Sequence, residues 1–273
     1  MIESPTALPL LILLPGLDGT GAFFEPFLEG LPTGFETQVV QYPTELVSYP
    51  ACLEFARALL PADRPYLLLG ESFSGPIAIA LAAEQREGMV GLVLCSTFAR
   101  NPRPRLAWAV PFLGLFPNAR LPLFLIRFVL LGKWATDRLL ALTVSMHAAV
   151  PPATLTKRLR AVVGVDHTGL LALVQVPVLA LCASQDRLVP KSARDWIQTH
   201  LPALDIVTLQ GPHWLLQTRP EAAFQAITDF LGRIGAPCVA KPQASDPPES
   251  TDQANQSPVN SERVLHHEQG QFR

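Results

Sequence analysis

The hexapeptide GESFSG, residues 70–75, constrains the fold of this chain more than any other stretch. It follows the apolar run Pro65–Leu69 and leads into Pro76–Ala83, whose small and aliphatic residues predict a helix. In a G-x-S-x-G pattern between a strand and a helix, the serine sits on a sharp turn that lifts its hydroxyl above a sheet. Side chains two positions before and after the serine would collide across that turn. Gly70 and Ser74 are small enough, although Ser74 replaces the usual second glycine.

Ser72, at the centre of this motif, is the candidate nucleophile. Its hydroxyl would be exposed to a substrate, and Gly75 is expected to let the new helix pack close to the strand. The alternative is a purely structural role, because serine is a favoured helix N-cap and many turns rich in glycine and serine have no other purpose.

A serine hydroxyl is a weak nucleophile near neutral pH and needs a neighbouring base. Among the histidines, only His213 directly follows a predicted last strand, in a loop of sequence QGPHW that can carry an imidazole back over the turn. Its alternative is an ordinary histidine packed in a loop. His200 is predicted at a helix end as a surface or capping residue, and His147 and His167 belong to a long insertion.

The base in turn needs a carboxylate that orients it. Asp186 lies just after the predicted strand Val176–Cys182, in a loop of sequence ASQDRLVP. Doubly wound folds place their sites in such loops at the carboxyl ends of parallel strands. The alternative for Asp186 is a turn residue or an ion-pair partner of Arg187, and Asp166 is the reserve candidate for the orienting acid.

The apolar runs predict an α/β fold, doubly wound, with a mostly parallel sheet. Strands buried on both faces are continuous hydrophobic runs, and here such runs alternate with helical patterns. The chain has 273 residues, 49% of them hydrophobic, which suits one large domain with a sizeable core. The predicted strands are Leu10–Leu14, Glu36–Tyr42, Pro65–Leu69, Gly91–Cys95, Val176–Cys182 and Asp205–Leu209.

The segments between these strands have apolar residues at helical spacing. Helices are predicted over Ala22–Leu31, over Tyr49–Leu60 and from Pro76 to near Gly88. A final helix is predicted to end before Gly235 and Pro237. Thr218 and Glu221 form a possible capping box at its start. Its single apolar face is made of Phe224, Ile227, Leu231 and Ile234.

The pattern breaks between residues 99 and 174, which predict a helical cap inserted into a core made of residues 1–98 and 175–235. Two very apolar helices are expected there, Arg105–Phe116 and Leu121–Trp134. The second is apolar all round, which is typical of a buried helix. A second interpretation, compatible with the first, is a lid whose apolar inner surface lines an acyl-binding pocket. Through this cap the protein would make transient contact with lipid at an interface. On that interpretation the candidate substrate-binding residues are Phe124, Phe128 and Trp214.

The remaining features narrow the class of protein. Residues 236–273 are rich in polar residues and proline, which predicts a disordered tail, and its His266–His267 pair is expected to be solvated rather than metal-bound.

A net charge of −2 gives no basic footprint for nucleic acid. Four scattered cysteines favour the cytoplasm over an oxidising compartment, and the apolar stretch near the N-terminus is interpreted as a buried first strand rather than a signal peptide.

The chain order Ser72, Asp186, His213 is the order of the α/β hydrolases. Over roughly its first 235 residues the sequence resembles the α/β-hydrolase superfamily. Its LLPGLDGTG and GESFSG segments are especially similar to a branch that includes bacterial esterase-like proteins and the hydrolase-like part of plant phytyl ester synthases. The resemblance implies that the backbone N–H groups of Leu17 and Phe73 form an oxyanion hole.

Taken together, the residues and the resemblance predict a serine hydrolase that cleaves carboxylic esters with an apolar acyl group through an acyl-enzyme. The expected partner is a small-molecule ester substrate. No metal, organic cofactor, nucleic acid or obligate protein partner is expected. An acyltransferase or thioesterase with the same three residues is the first alternative. A non-catalytic binding protein on a hydrolase fold is the second, since fold alone does not imply function.

Overall fold

The computed structural model describes residues 8–32, 35–108 and 122–236. Within them, six strands form one parallel sheet in the order β2-β1-β3-β4-β5-β6. The strands are β1 (Leu10–Leu14), β2 (Thr37–Val39), β3 (Tyr66–Glu71), β4 (Met89–Cys95), β5 (Val178–Ala183) and β6 (Asp205–Leu209). The predicted α/β class and parallel sheet are therefore confirmed. Four strands differ in their bounds: β2 is shorter than predicted, and β3 continues through Glu71 to the start of the turn. Strand β4 begins two residues earlier than predicted, and β5 begins two residues later and ends one residue later.

Nine α-helices lie in the described ranges, and the first and third directly follow short 3-10 turns. They are α1 (Glu25–Glu29), α2 (Tyr49–Ala58), α3 (Gly75–Ala83), α4 (Leu123–Ile126), α5 (Asp137–Ala149), α6 (Pro152–Gly164), α7 (Lys191–His200), α8 (Leu215–Thr218) and α9 (Pro220–Arg233). Helix α3 ends at Ala83, five residues before the predicted end near Gly88, because Gln85 takes a positive φ of 53°.

The helices cover both faces of the sheet, as continuous apolar strands require. Successive residues of β1 point to opposite sides, so Ile12 joins one hydrophobic cluster and Leu13 the other. The first cluster packs against α2, α3 and α7, for example through Ile77. The second packs against α1, α8 and α9, for example through Phe230. The loops that leave the carboxyl ends of the strands are thus held between two packed layers.

The predicted capping box of the last helix is wrong. The Thr218 hydroxyl donates to the Trp214 carbonyl at 2.7 Å, so it caps nothing in α9. Helix α9 begins at Pro220, and the preceding Arg219 makes no side-chain cap. The predicted end agrees with the structure, because Gly235 follows the helix with a positive φ of 68°, while Pro237 lies outside the described residues.

The segment between β4 and β5 contains α4, α5, α6 and several shorter turns. The expected long helix Leu121–Trp134 is instead a short α4, a π-helical turn over Arg127–Leu131 and a 3-10 turn over Gly132–Trp134. Leu121 lies outside the described residues, as do residues 109–116 of the other predicted helix, whose start at 104–108 is a 3-10 turn.

The expectation that this apolar segment is buried all round is also wrong. Phe124 is 74% exposed and Phe128 is 58% exposed. Only one side packs, through Ile126 and Leu131, against Leu139 and other apolar residues. Apolar residues on every side therefore do not mean burial here, because the described elements pack against one side of this segment.

Within the described ranges, no single helix is both long and apolar enough to cross a bilayer; α5 and α6 reach that composition only as a pair, across a 99° bend. The predicted tail spans residues 236–273, of which 237–273, with Cys238, His266 and His267, lie outside the described residues.

Candidate active site

Ser72 occupies a strained turn between β3 and α3. Its φ of 49° lies in the left-handed region, which a serine adopts rarely and which is characteristic of functional turns. A Cβ at Gly70 would lie 2.7 Å from the Ala78 Cβ, so this position must be glycine. A Cβ at Gly75 would lie 1.9 Å from the Thr97 Oγ1. The close approach that Gly75 allows is therefore towards Thr97, just after β4, rather than towards β3 as expected.

Ser72, His213 and Asp186 form a chain of hydrogen bonds. The Ser72 Oγ lies 3.0 Å from the His213 Nε2, and the His213 Nδ1 lies 2.8 Å from the Asp186 Oδ2. Because a carboxylate oxygen can only accept, the Nδ1–H donates to Asp186 and leaves Nε2 to accept the serine proton. This geometry allows the imidazole to act as a base towards the Ser72 hydroxyl.

The loop after β5 fixes the Asp186 carboxylate. Its Oδ1 accepts hydrogen bonds from the amides of Leu188, at 2.8 Å, and Val189, at 2.7 Å. These two bonds leave Oδ2 for His213. The reserve candidate, Asp166, has a different environment: its Oδ1 accepts from the Thr168 amide, and its backbone forms a bridge to Arg100.

Hydrogen bonds between the β5 and β6 loops bring the acid and the histidine together. The Ser184 amide donates to the Leu209 carbonyl at 2.9 Å, and the Gln185 amide donates to the Gly211 carbonyl at 3.0 Å. His213 follows two residues later and is 3% exposed. The other three described histidines each place Nδ1 within 3.0 Å of a backbone carbonyl, on Thr143, Pro76 and Trp196.

The loop after β1 faces the turn that carries Ser72, and Ser74 joins the two. The Ser74 hydroxyl donates to the Pro15 carbonyl and lies 3.1 Å from the Tyr42 hydroxyl, from which it accepts. A glycine at this position could make neither bond. Leu17 lies two residues beyond Pro15, and neither its amide nor that of Phe73 donates to a protein acceptor in the described part of the chain. Both amides are thus available to a ligand.

Glu71 is a buried carboxyl that the sequence analysis did not single out. It is 4% exposed, and its Oε1 accepts a hydrogen bond from the Gln217 Nε2 at 2.9 Å. Burial raises the pKa of Glu71 to about 7, with the bond from Gln217 and the charge of His213 opposing the rise and the nearby Asp18 adding to it. For His213, burial disfavours the charged ring, but the charge and hydrogen bond of Asp186, together with Glu71, raise its pKa above the ordinary value.

Arg158 is the other group that the sequence analysis missed. It lies on α6 and is fully buried, with its guanidinium among the backbone carbonyls of the loops that follow β1 and β2. Glu71 could have been suspected as a charged residue ending an apolar strand. Arg158 had no comparable signal, because the KRLR stretch around it is ordinary for a solvated helix face.

The three candidate substrate-binding residues lie in two different parts of the structure. Phe124 and Phe128 line an open cavity of about 570 Å³, together with Leu125 and the cations Arg127, Lys133 and Arg187. An adjoining cavity of about 110 Å³ shares Phe128 and reaches Gln185 and Pro212, the neighbours of Asp186 and His213. Trp214 is buried instead, with its ring centroid 4.3 Å from that of Phe23.

Among the described residues, no group of three or more histidine, cysteine, aspartate or glutamate side chains is arranged to hold a metal ion.

Curated proteins with similar sequences are distant and longer than this chain. Phytyl ester synthase 1, chloroplastic, of Arabidopsis thaliana is 28% identical over 117 residues, which is 40% of this chain and 17% of that protein. The biotin biosynthesis bifunctional protein BioHC of Cellvibrio japonicus is 26% identical over 246 residues, which is 81% of this chain and 47% of that protein. The chain therefore spans less than half the length of either relative.

Solved structures share the fold. A thermophilic esterase from Thermogutta terrifontis superposes with a TM-score of 0.68 at 20% identity, over 85% of this chain and 92% of that one. A lipase-esterase related protein from Clostridium acetobutylicum gives a TM-score of 0.67 at 15% identity, over 84% and 95%. The family model described as "Alpha/beta hydrolase family" matches residues 10–226. With this sheet order and this match over most of its length, the chain belongs to the alpha/beta hydrolase family.

Proposed function

We propose that this protein is a serine hydrolase that cleaves carboxylic esters with an apolar acyl group through an acyl-enzyme. The observation that carries the proposal is the hydrogen-bonded chain from Ser72 through His213 to Asp186, with contacts of 3.0 and 2.8 Å and with Ser72 on a strained turn. A serine held in this way has both a base to receive its proton and a partly exposed position on the turn from which to attack.

In the first half of the reaction, the Ser72 Oγ attacks the ester carbonyl and its proton passes to the His213 Nε2. The imidazolium that forms is stabilised by Asp186, whose Oδ2 accepts the Nδ1–H bond. The carbonyl oxygen becomes an oxyanion, for which the free amides of Leu17 and Phe73 are the proposed donors. Removing one such donor in a related chemistry costs about 2.7–4 kcal/mol of transition-state stabilisation.

Acylation ends when the alcohol leaves with the proton from Nε2, and the acyl group remains on Ser72. In the second half, water gives a proton to the His213 Nε2 and attacks the acyl carbonyl. The bond to Ser72 then breaks, His213 returns the proton to the Ser72 Oγ, and the carboxylic acid leaves. The aromatic cavity next to the β5 and β6 loops supports an apolar acyl group, because Phe124 and Phe128 offer it apolar surface.

Acyl transfer to an alcohol, or hydrolysis of a thioester, is the second candidate function. It uses the same residues and differs only in the acceptor or the leaving group. The similarity of 117 residues to a protein described as a phytyl ester synthase favours transfer as the alternative. Whether water or an alcohol accepts the acyl group depends on how well water is excluded from the acyl-enzyme.

A fluorophosphonate probe tests the proposal directly. We expect one covalent adduct on Ser72, located by peptide mass spectrometry, and no adduct in Ser72→Ala. An unlabelled wild type would instead support a non-catalytic binding protein. Hydrolysis of p-nitrophenyl esters, with and without a long-chain alcohol, then separates the two enzymes: an ester product in place of free acid would identify an acyltransferase.

A further inference from the structure

Arg158 is a buried cation with every donor satisfied by main-chain oxygen. Its Nε donates to the Leu46 carbonyl at 2.9 Å; its Nη1 donates to the carbonyls of Leu17, at 3.1 Å, and Asp18, at 2.6 Å. Its Nη2 donates to those of Tyr42, at 3.5 Å, and Pro43, at 3.0 Å. A guanidinium has five N–H donors, and here each has an acceptor.

These bonds join three parts of the chain that are far apart in sequence. Arg158 belongs to α6, Leu17 and Asp18 belong to the loop after β1, and Tyr42 and Pro43 follow β2. Burial lowers the pKa of Arg158. Because removing a guanidinium from water is costly, a position with 0% exposure is maintained only where carbonyl dipoles replace the water.

Gly19 makes room for this guanidinium. A Cβ on Gly19 would lie 2.2 Å from the Arg158 Nη1, and its φ of 75° also disfavours any other residue. The Gly19 carbonyl accepts from the Tyr42 amide at 2.8 Å, which ties the same two loops together. The central glycine of the LDGTG segment is therefore explained by an arginine that lies about 140 residues later.

We propose that Arg158 is a positioning residue for the oxyanion hole. Two of its five bonds end on the carbonyls of Leu17 and Asp18, so they fix the peptide plane that follows the Leu17 amide. With the Ser74 bond to Pro15 on the other side, the Leu17 amide is held between two anchored points. This role rests on the proposed function, and Arg158 itself touches no reacting atom.

The matched comparison is between two residues of the same helix. Thr154, four residues earlier on α6, donates through its hydroxyl to the Thr44 carbonyl at 2.9 Å. Thr154→Val loses a bond between α6 and the core but leaves Leu17 and Asp18 untouched. Arg158→Met loses the bonds to Leu17 and Asp18, and Arg158→Lys keeps the charge with fewer donors.

The experiment measures kcat and KM for a p-nitrophenyl ester per fluorophosphonate-labelled site. It also measures the inhibition constant of a trifluoromethyl ketone, whose adduct carries an oxyanion. For Arg158→Met we expect kcat and inhibitor affinity to fall together by roughly 10- to 100-fold, with KM changed less than about twofold. Arg158→Lys should recover part of both losses, and Thr154→Val should lower the melting temperature without changing either quantity.

Arg158 variants that are less stable but keep wild-type kcat and inhibitor affinity per labelled site would overturn the inference. If Arg158→Met does not fold, Arg158→Lys carries the same test. Equal losses in Thr154→Val would also overturn it, since they would assign the effect to the docking of α6. Failure of the proposed function is a separate result, because the wild type itself would then neither react with the probe nor turn over.

Discussion

The buried carboxyl of Glu71 and the side-chain amide of Gln217 meet at 2.9 Å behind the nucleophile, joining the end of β3 to helix α8. Glu71 directly precedes Ser72, and Gln217 lies four residues after His213. The pair therefore joins the segments that carry the serine and the histidine, and the charges of Glu71 and His213 interact. Because the pKa of Glu71 is raised to about 7, this carboxyl changes its charge near neutral pH.

Glu71 should make the stability of the protein fall as the pH rises. The unfolded chain releases this proton near pH 4.5, whereas the folded protein keeps it to about pH 7, so the folded state binds more protons between these values. The glutamine side chain of Glu71→Gln does not titrate. Between pH 4.5 and 7, the free energy of unfolding of this variant should therefore rise by up to about 3 kcal/mol relative to that of the wild type. Urea unfolding of both proteins at several pH values measures this difference. Parallel curves would contradict it, and Glu87→Gln, on the surface, is the control.

Glu71 should also move the acid limb of the activity profile. The reaction needs a neutral His213, and the charge of Glu71 contributes to the raised pKa of that ring, after the larger effects of burial and Asp186. Glu71→Gln should therefore shift the acid limb of kcat/KM to lower pH. A profile of kcat/KM from pH 5 to 9 measures the shift, and an unchanged midpoint would show that Glu71 is protonated wherever His213 titrates.

Ser72→Ala should remove nearly all ester hydrolysis while the fold persists. The hydroxyl is the attacking atom, and loss of such a residue costs on the order of 10⁴–10⁶ in rate in well-studied hydrolases. The check is kcat with a p-nitrophenyl ester, alongside circular dichroism to establish folding. Wild-type turnover in this variant would disprove the whole mechanism.

Asp186→Asn should strongly impair turnover, and Asp166→Asn should not. An amide at position 186 could offer its NH₂ to the His213 Nδ1, which would favour the wrong tautomer. Asp166 accepts from Thr168 and has no contact with the ring. The measurement is kcat/KM for both variants; a greater loss in Asp166→Asn would transfer the role of the acid to that residue.

The aromatic cavity should set a preference for longer acyl chains. Each methylene that it buries adds up to about 0.8 kcal/mol, or about fourfold in kcat/KM. For p-nitrophenyl esters of increasing length, we expect a rise from acetyl to medium chains. The rise should flatten in Phe124→Ala/Phe128→Ala, with acetyl hydrolysis less affected.

Val144→Ala is the matched control for that series, because Val144 is an exposed apolar residue of α5 outside both described cavities. A wild-type optimum at acetyl, or equal losses at every chain length in the double variant, would count against an acyl-binding role for the two phenylalanines.

The sheet was predictable because its signals are local. The strands β1 and β6 match their predicted bounds, since each is a short run of β-forming residues ended by a turn. The positions of Ser72, Asp186 and His213 followed from the same strands, and the structure places their side chains within hydrogen-bond distance. Their catalytic roles stay predictions until the variants are measured.

The rest depends on contacts that a sequence does not encode locally. The Thr218 oxygen could accept from an amide of the next helix, as a capping box requires, but its hydroxyl donates to the Trp214 carbonyl instead. The apolar residues of α4 gave no sign of which side would find neighbours. Arg158 was hidden for a similar reason, because its partners are main-chain carbonyls, which every residue of the chain carries.

The bonds of Arg158 have a consequence for anyone who wishes to exchange parts of this protein. The segment between β4 and β5 looks like a cassette that could be swapped for that of another hydrolase to change the substrate range. Helix α6 cannot be replaced alone, since without Arg158 five carbonyls of the two core loops would lose a donor. Those of Pro43 and Leu46 would keep another, from the Leu46 amide and the Cys52 thiol. A chimera should therefore treat Gly19 and Arg158 as one unit, inherited from the same parent.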